Sequence, residues 1–200
     1  MYELLLVSQS PRRRQILEEF GYVFQTDSVK VSEIIEENVN LADAIARVAW
    51  TKADHYLSSN KHLKSLNILI LSADTVVTID NEVLGKPKNS TEARSHLLRL
   101  SGKTHSVISG FCLLNLKTGE ELCGFDTTKV EFRELTDQEI TDYIQTTEPM
   151  DKAGAYAIQG EGRKFVKNFA GSIYNVIGLP IEKIEKVLRE KNWDVARKSN

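Results

Sequence analysis

A chain of 200 residues, 41% hydrophobic and 27% charged, has the material for one soluble globular domain with a substantial core. A formal charge of −2 excludes a broad nucleic-acid or membrane-surface footprint, so any cluster of cations must act locally, on a small ligand. The stretch from Met1 to Val7 lacks a basic n-region, its apolar run is too short for a signal peptide, and no later stretch approaches a membrane span; a cytoplasmic protein is expected.

A strand is predicted over 3–7 and a helix over 11–20, with Ser10 as N-cap and Pro11 pre-set for the first helical position. Arg12, Arg13 and Arg14 then fall in the first turn, where the positive end of the helix dipole disfavours cations. Either a highly charged anion sits there, held by backbone N–H groups and guanidinium forks, or the turn is simply solvated. A short strand follows at 22–26, then a helix over about 40–58. On that helix Leu41, Ile45, Val48 and Tyr56 form one stripe, with Lys52 near its middle. Such a lysine either snorkels past its apolar neighbours or pairs with a buried carboxylate or a ligand phosphate.

The run over 67–79 reads as a strand buried on both faces and interrupted by Asp74. A carboxylate in that setting pairs with a cation, binds a metal, works as a general base, or caps nearby backbone. Ile79-Asp80-Asn81-Glu82 reads as a hairpin turn whose two-residue loop sets Thr75 opposite Lys86. A helix at 90–100 precedes two strands, 104–116 and 121–134, which place Cys112 and Cys123 where they can face one another. In a reducing compartment both are expected as thiols. A helix at 136–147, a loop-rich segment to about 170, a strand through 172–177 and a helix at 180–191 complete the chain. Alternating helices and strands with hairpins make an α/β layered domain with a mixed sheet, and no repeat or linker divides it, so a single domain over 1–200 is expected.

Further polar residues suggest chemistry. Glu33 is a candidate ligand, whereas Glu36 and Glu37 read as a solvated acidic turn. A hard Mg²⁺ takes one or two carboxylates plus phosphate and water oxygens, so Glu33 with Asp74 suffices. The four histidines show no metal-ligand spacing. The segment 148–160 is polar and rich in small residues, which suits a binding loop: Gln159 can both donate and accept toward a base edge, and Lys152 can pair with an acid or a phosphate. The alternative is a packed connection with Lys152 bonded to Glu148 or Asp151.

Together, Ser-x-Ser-Pro-Arg-Arg from Ser8, Ser-Ala-Asp-Thr-Val-Val from Ser72, Leu-Gly-Lys-Pro from Leu84, Leu-Ser-Gly-Lys-Thr-His from Leu100, the Glu148–Gly160 run and Tyr-Asn-Val-Ile-Gly-Leu-Pro from Tyr174 resemble the Maf family of nucleotide pyrophosphatases. The resemblance implies an elongated α/β fold shared with inosine-triphosphate pyrophosphatases, with a cleft between two lobes and often a homodimer. It also implies a divalent-metal-dependent enzyme (Mg²⁺ or Mn²⁺) that cleaves a nucleoside triphosphate to the monophosphate and pyrophosphate. By the same resemblance Asp74 matches the proton acceptor; Ser8, Arg12, Arg13, Lys52 and Lys86 match residues lining the triphosphate cleft; and Glu33 matches an acidic site residue. Arg12, Thr75 and Gln159 match the positions that discriminate the branch acting on dTTP and UTP, which brings modified pyrimidine nucleotides and a house-cleaning role with it. A non-catalytic nucleotide-binding regulator restraining cell division is the competing expectation. Gln9 departs from the family's common glycine, and Glu161-Gly162-Arg163-Lys164 is unusually charged.

Overall fold

The computed structural model describes residues 1–32, 35 and 39–198. In chain order the first half holds β1 (Glu3–Val7), α1 (Pro11–Glu19), β2 (Phe24–Asp27), α2 (Leu41–Ser59), β3 (Ile68–Ile79), β4 (Glu82–Leu84) and α3 (Ser90–Leu100). The second half holds β5 (Thr104–Asn115), β6 (Glu121–Phe132), α4 (Asp137–Gln145), β7 (Val166–Ala170), α5 (Ile173–Ile177) and α6 (Ile181–Glu190), with short 3-10 turns between α4 and β7. The chain divides into two compact units. The mixed α/β expectation holds: parallel and antiparallel strand pairs both occur.

Unit 1 comprises Met1–Asp74, Ser109–Asp126 and Gly178–Asn200. Here β1 runs parallel to both β2 and β3, with Val7 opposite Asp27 on one side and Ser72 on the other. Leu4 to Val7 are all buried, as a strand flanked on both sides requires. β2 begins at Phe24 rather than at the expected 22 because the Tyr22 N–H closes the end of α1 on the Leu17 carbonyl, 2.9 Å away. α2 starts on Asn40, whose side chain accepts from Ala42 N–H at 2.9 Å. Its buried face is mostly alanine, which lets the helix lie close against its neighbours. Gly110 on β5 shows how close: a Cβ there would sit 2.5 Å from the Ile45 carbonyl carbon. Buried Ser72 then donates to the Ala49 carbonyl at 2.6 Å, fixing α2 along β3.

The turn between β5 and β6 is closed by Gly119, at φ 74°, whose N–H reaches the Asn115 carbonyl at 2.8 Å. The Asn115 N–H donates to the Glu120 carbonyl at 2.9 Å, so those residues are opposite one another. A connection this short between neighbouring strands forces an antiparallel pair.

Unit 2 comprises Thr75–Ile108 and Thr127–Ile177. The hairpin expected at 80–81 is present, with Ile79 opposite Glu82 and Val77 opposite Leu84. Asp80 and Asn81 both take positive φ, 52° and 62°, as the favoured two-residue hairpin turn demands. The ladder stops two pairs short of the expected Thr75–Lys86 partnership, and the Gly85 carbonyl instead accepts from Gly154 N–H at 3.1 Å. α4 carries a full capping box, Thr136 with Glu139, and Arg133 grips the same glutamate through two nitrogens at 3.1 and 2.6 Å.

Two expectations fail in this unit. The strand expected through 172–177 is the short helix α5: Ser172 Oγ accepts from Asn175 N–H at 3.3 Å, and the Asn175 amide donates to the Val107 carbonyl and Thr128 Oγ, both at 3.0 Å. Local side-chain bonding to the backbone overrides the strand preference of the β-branched residues. β7 lies in the segment read as loop. Its five residues bury little besides Val166, so no alternation marks them, and pairing with β6 alone makes the strand.

The interior of unit 2 includes a ring cluster in which His105, Phe132 and Tyr156 meet edge to face, with Phe165 and Tyr143 beyond. His105 Nε2 and the Tyr156 hydroxyl share a 2.9 Å hydrogen bond. Burial pushes the imidazole down from 6.5 to about 4, so it is neutral in the folded protein at neutral pH. Between those values the unfolded chain binds the proton and the folded one does not; stability is fully present above pH 6.5 and falls as the pH drops toward 4. Urea denaturation of wild type and His105→Gln at pH 7.5 and pH 5 is expected to show the wild type losing about 2 kcal/mol more than the variant over that interval. Equal losses would mean that His105 does not carry this dependence.

Candidate active site

In unit 1 the chain turns from β1 into α1 through Ser8-Gln9-Ser10. Ser8 N–H is held by the Asp27 carbonyl at 2.9 Å, and Asp27 is in turn braced through its carboxylate by the Tyr56 hydroxyl of α2 at 2.7 Å. That hydrogen bond, with a second from Ser28 N–H, holds the Asp27 carboxyl below its usual range; Tyr56 rises to about 12, first from burial and then from the carboxylate. Ser8 Oγ accepts from Ser10 N–H at 3.2 Å and from Arg13 at 3.0 Å, and the same guanidinium donates to the Gly178 carbonyl at 2.9 Å. Ser10 makes no side-chain cap, and α1 has no acid in its first turn. Arg12 is half-buried whereas Arg14 is exposed.

Lys52 of α2 meets Asp74 of β3 at 2.7 Å, each side chain only 12% exposed. Of the alternatives open to a lysine on an apolar stripe, pairing with a buried carboxylate is the one realised. Asp74 stands two residues past Ser72, and Ser72 is paired with Val7, the residue before Ser8. Asp74 lies in the middle of β3, two residues beyond the last residue that β1 pairs with, so the ion pair and the Ser8–Arg13 turn both stand just past the carboxyl end of β1, the kind of strand end where α/β sheets receive ligands. The second Asp74 oxygen has no hydrogen-bond partner among the described residues. Glu33, expected as the companion acid, lies outside the described residues, as do Glu36 and Glu37. Among the described residues no group of three or more His, Cys, Asp or Glu is arranged around a cation. One carboxylate with an uncommitted oxygen is a hard donor, suited to a cation that draws its remaining ligands from phosphate and water.

In unit 2, Thr75 is half-buried on β3, Lys86 is exposed just past β4, and Gln159 is exposed in the loop before the last 3-10 turn. Lys152 donates to the Glu148 carbonyl at 3.3 Å and pairs with Asp151, the packed alternative considered for this stretch. Glu148 braces the Gln159 loop. Its carboxylate accepts from the Tyr143 hydroxyl at 2.7 Å, from Glu161 N–H at 3.1 Å and from Gly162 N–H at 3.2 Å, while Ala157 N–H donates to the same tyrosine oxygen at 3.2 Å. Both sides of Gln159 are thus tied to one acid–phenol pair. Burial raises the Tyr143 hydroxyl far above its ordinary value, with the adjacent carboxylate adding to the rise.

The Maf-like protein family model matches residues 3–191. This chain belongs to the Maf family. A dTTP/UTP pyrophosphatase of Bdellovibrio bacteriovorus is 48% identical over 185 residues, covering 92% of this chain and 96% of that protein. Another from Alkaliphilus oremlandii is 42% identical, covering 94% and 96%. Among solved structures, a HAM1 protein from Coxiella burnetii aligns with 95% of this chain and 100% of its own at 16% identity and a TM-score of 0.48.

Within this Maf chain the structure joins Ser8 to Arg13 and Lys52 to Asp74. Sequence reasoning passed over Glu148 and Tyr143 as a brace. The available signal was Gly160 and Gly162, two glycines close to a candidate specificity residue: a Cβ on Gly160 would lie 2.1 Å from Glu148 Oε2, and one on Gly162 2.8 Å from the Tyr143 hydroxyl. Because the carboxylate is itself held from three sides, Gly160→Ala is expected to destabilise the protein by about 1–3 kcal/mol in urea denaturation. The double variant Gly160→Ala/Glu148→Ala should cost less than the sum of the two single changes, and strict additivity would show that the two positions do not touch.

Proposed function

We propose that this chain is a nucleoside triphosphate pyrophosphatase that hydrolyses dTTP and UTP between the α and β phosphates, releasing the monophosphate and pyrophosphate. The observation that carries this reading is a carboxylate gripped by a lysine just past the carboxyl end of β1, beside an arginine-rich helix start, in a chain whose relatives include dTTP/UTP pyrophosphatases. Lys52 fixes the orientation of Asp74, and Asp74 accepts a proton from the water that attacks the α-phosphorus in line, as the bond to the departing pyrophosphate breaks. Arg12 and Arg13 offset charge on the phosphate oxygens. Ser8, whose oxygen already accepts two bonds, has its hydroxyl hydrogen left to donate to a phosphate.

We assign Lys86 to the phosphates as well, and Thr75 and Gln159, with Arg12, to discrimination of the pyrimidine. Asp74, with Glu33, would hold a divalent cation, Mg²⁺ or Mn²⁺, which when bound supplies positive charge to the phosphate oxygens. Modified pyrimidine nucleotides and a house-cleaning role belong to this reading, as do a homodimer and a cytoplasmic location. Among the described residues no helix is long and apolar enough to cross a membrane. The alternative of a non-catalytic regulator of cell division has no observation of its own in its favour.

Incubation with a panel of canonical and modified nucleoside triphosphates plus Mg²⁺ is expected to yield monophosphate and pyrophosphate, fastest with dTTP and UTP. Orthophosphate as first product, or tight binding without turnover, would sink the reading. Asp74→Asn keeps an oxygen for Lys52 but removes the base, so kcat should fall about 10²–10⁴-fold with nucleotide affinity largely retained. Equal losses of affinity and rate would place Asp74 in a purely structural or metal-holding role.

A further inference from the structure

The chain's two cysteines lie on neighbouring strands of unit 1, outside every role assigned above, and both are free thiols. Their register follows from the turn. With Asn115 N–H bonded to the Glu120 carbonyl, residues 115 and 120 are opposite; three residues further from the turn along each strand, Cys112 stands opposite Cys123. Phe132 N–H bonded to the Lys103 carbonyl gives the same register at the far ends of β5 and β6, so no net slip accumulates between. Gly124, whose Cβ would lie 3.0 Å from the Phe111 ring, confirms the pairing one residue over.

Opposed residues in an antiparallel ladder alternate between hydrogen-bonded and non-hydrogen-bonded pairs. Counting from the bonded pair 115/120 makes 112/123 a non-bonded pair, the kind whose Cα atoms approach to roughly 4.5 Å. That separation lies within the range a disulfide spans, about 4.4–6.8 Å. The two thiols also differ in access. Cys112 is fully buried in the apolar cluster with Val7, Ala49, Ile70 and Leu114, whereas Cys123 is exposed.

We propose that Cys123 and Cys112 form a peroxide-reactive dithiol, a modification site in which a hydroperoxide oxidises the exposed Cys123 and the buried Cys112 resolves the product into a cross-strand disulfide. The chemistry is two displacements. The Cys123 thiolate attacks one peroxide oxygen; the O–O bond breaks, the other oxygen leaves as alkoxide or hydroxide and takes up a proton, and Cys123 becomes a sulfenic acid. Cys112 sulfur then attacks Cys123 sulfur, the S–O bond breaks, and hydroxide departs with the Cys112 proton as water. Two electrons pass from the thiol pair to the peroxide. Mutual hydrogen bonding prepares the pair for this order of events: it lowers the Cys123 thiol below its ordinary value against the opposing charge of Glu121, and with burial it raises that of Cys112.

Treating the full chain with a modest excess of hydrogen peroxide, then counting thiols and mapping peptides by mass spectrometry, is expected to show both thiols lost, a mass decrease of two hydrogens, and one peptide linking Cys112 to Cys123. Dithiothreitol should restore both thiols. In Cys112→Ser the reaction should stop at oxygenated Cys123 or an intermolecular disulfide, and in Cys123→Ser the buried Cys112 should stay reduced. Wild type that keeps two titratable thiols, or that gains oxygen on Cys123 without the crosslink, would overturn the proposal, and neither result depends on whether the chain hydrolyses nucleotides.

Discussion

The 2.7 Å ion pair between Lys52 and Asp74 is the constraint on which the rest of unit 1 depends. Two charges this deeply covered are tolerated only when they meet each other, because leaving either alone costs several kcal/mol. Meeting requires α2 to lie at one depth and one rotation along β3. The alanines on its buried face permit the depth, and the absence of a side chain at Gly110 permits it again from β5. Ser72, donating to a carbonyl of α2, sets the position along the strand. The packing of unit 1 can therefore be read as the means by which a lysine is delivered to an aspartate, with the apolar burial supplying the free energy that the charge pair does not.

A different device governs the Gln159 loop of unit 2. Residues 157–160 lie outside any helix or strand, and Glu161 and Gly162 open a 3-10 turn whose first N–H groups have no partner within it, so these N–H groups need partners from elsewhere. Glu148 and Tyr143 supply acceptors for three of them and exclude any side chain at Gly160. Gln159 on this loop has its backbone fixed from both sides while its own side chain remains exposed, which suits the specificity role proposed for it better than a freely moving loop does.

How much of this was legible beforehand depended on whether a residue's partner is near in sequence. The Asp80-Asn81 turn names its own geometry, so the β3–β4 register followed from two residues. Lys52 on an apolar stripe and Asp74 in an apolar strand each announced a missing partner, and the structure supplies each with the other. The failures have the opposite character. β7 exists only because β6 is there to pair with it, and α5 forms because Asn175 finds acceptors on β5 and β6. Tyr143 is a fully buried core aromatic; that its hydroxyl also carries a loop depends on contacts that no local pattern encodes.

The arginines at the start of α1 are where the electrostatic argument comes to rest. Arg14, exposed, has the character of an ordinary solvated charge. Arg13 is structural as well as cationic: it ties Ser8 to the Gly178 carbonyl, and so holds the strand-to-helix turn in a fixed shape. Ser10 N–H, which a helix start usually offers to an anion, is already taken by Ser8. Under the proposed function, the turn would present to a phosphate the Ser8 hydroxyl hydrogen, its oxygen held by two accepted bonds and backed by guanidinium charge. A site built this way is organised before its ligand arrives, so little of the binding energy is lost to ordering it. On the same reading a bound anion offsets the repulsion between these cations and the positive end of the helix dipole.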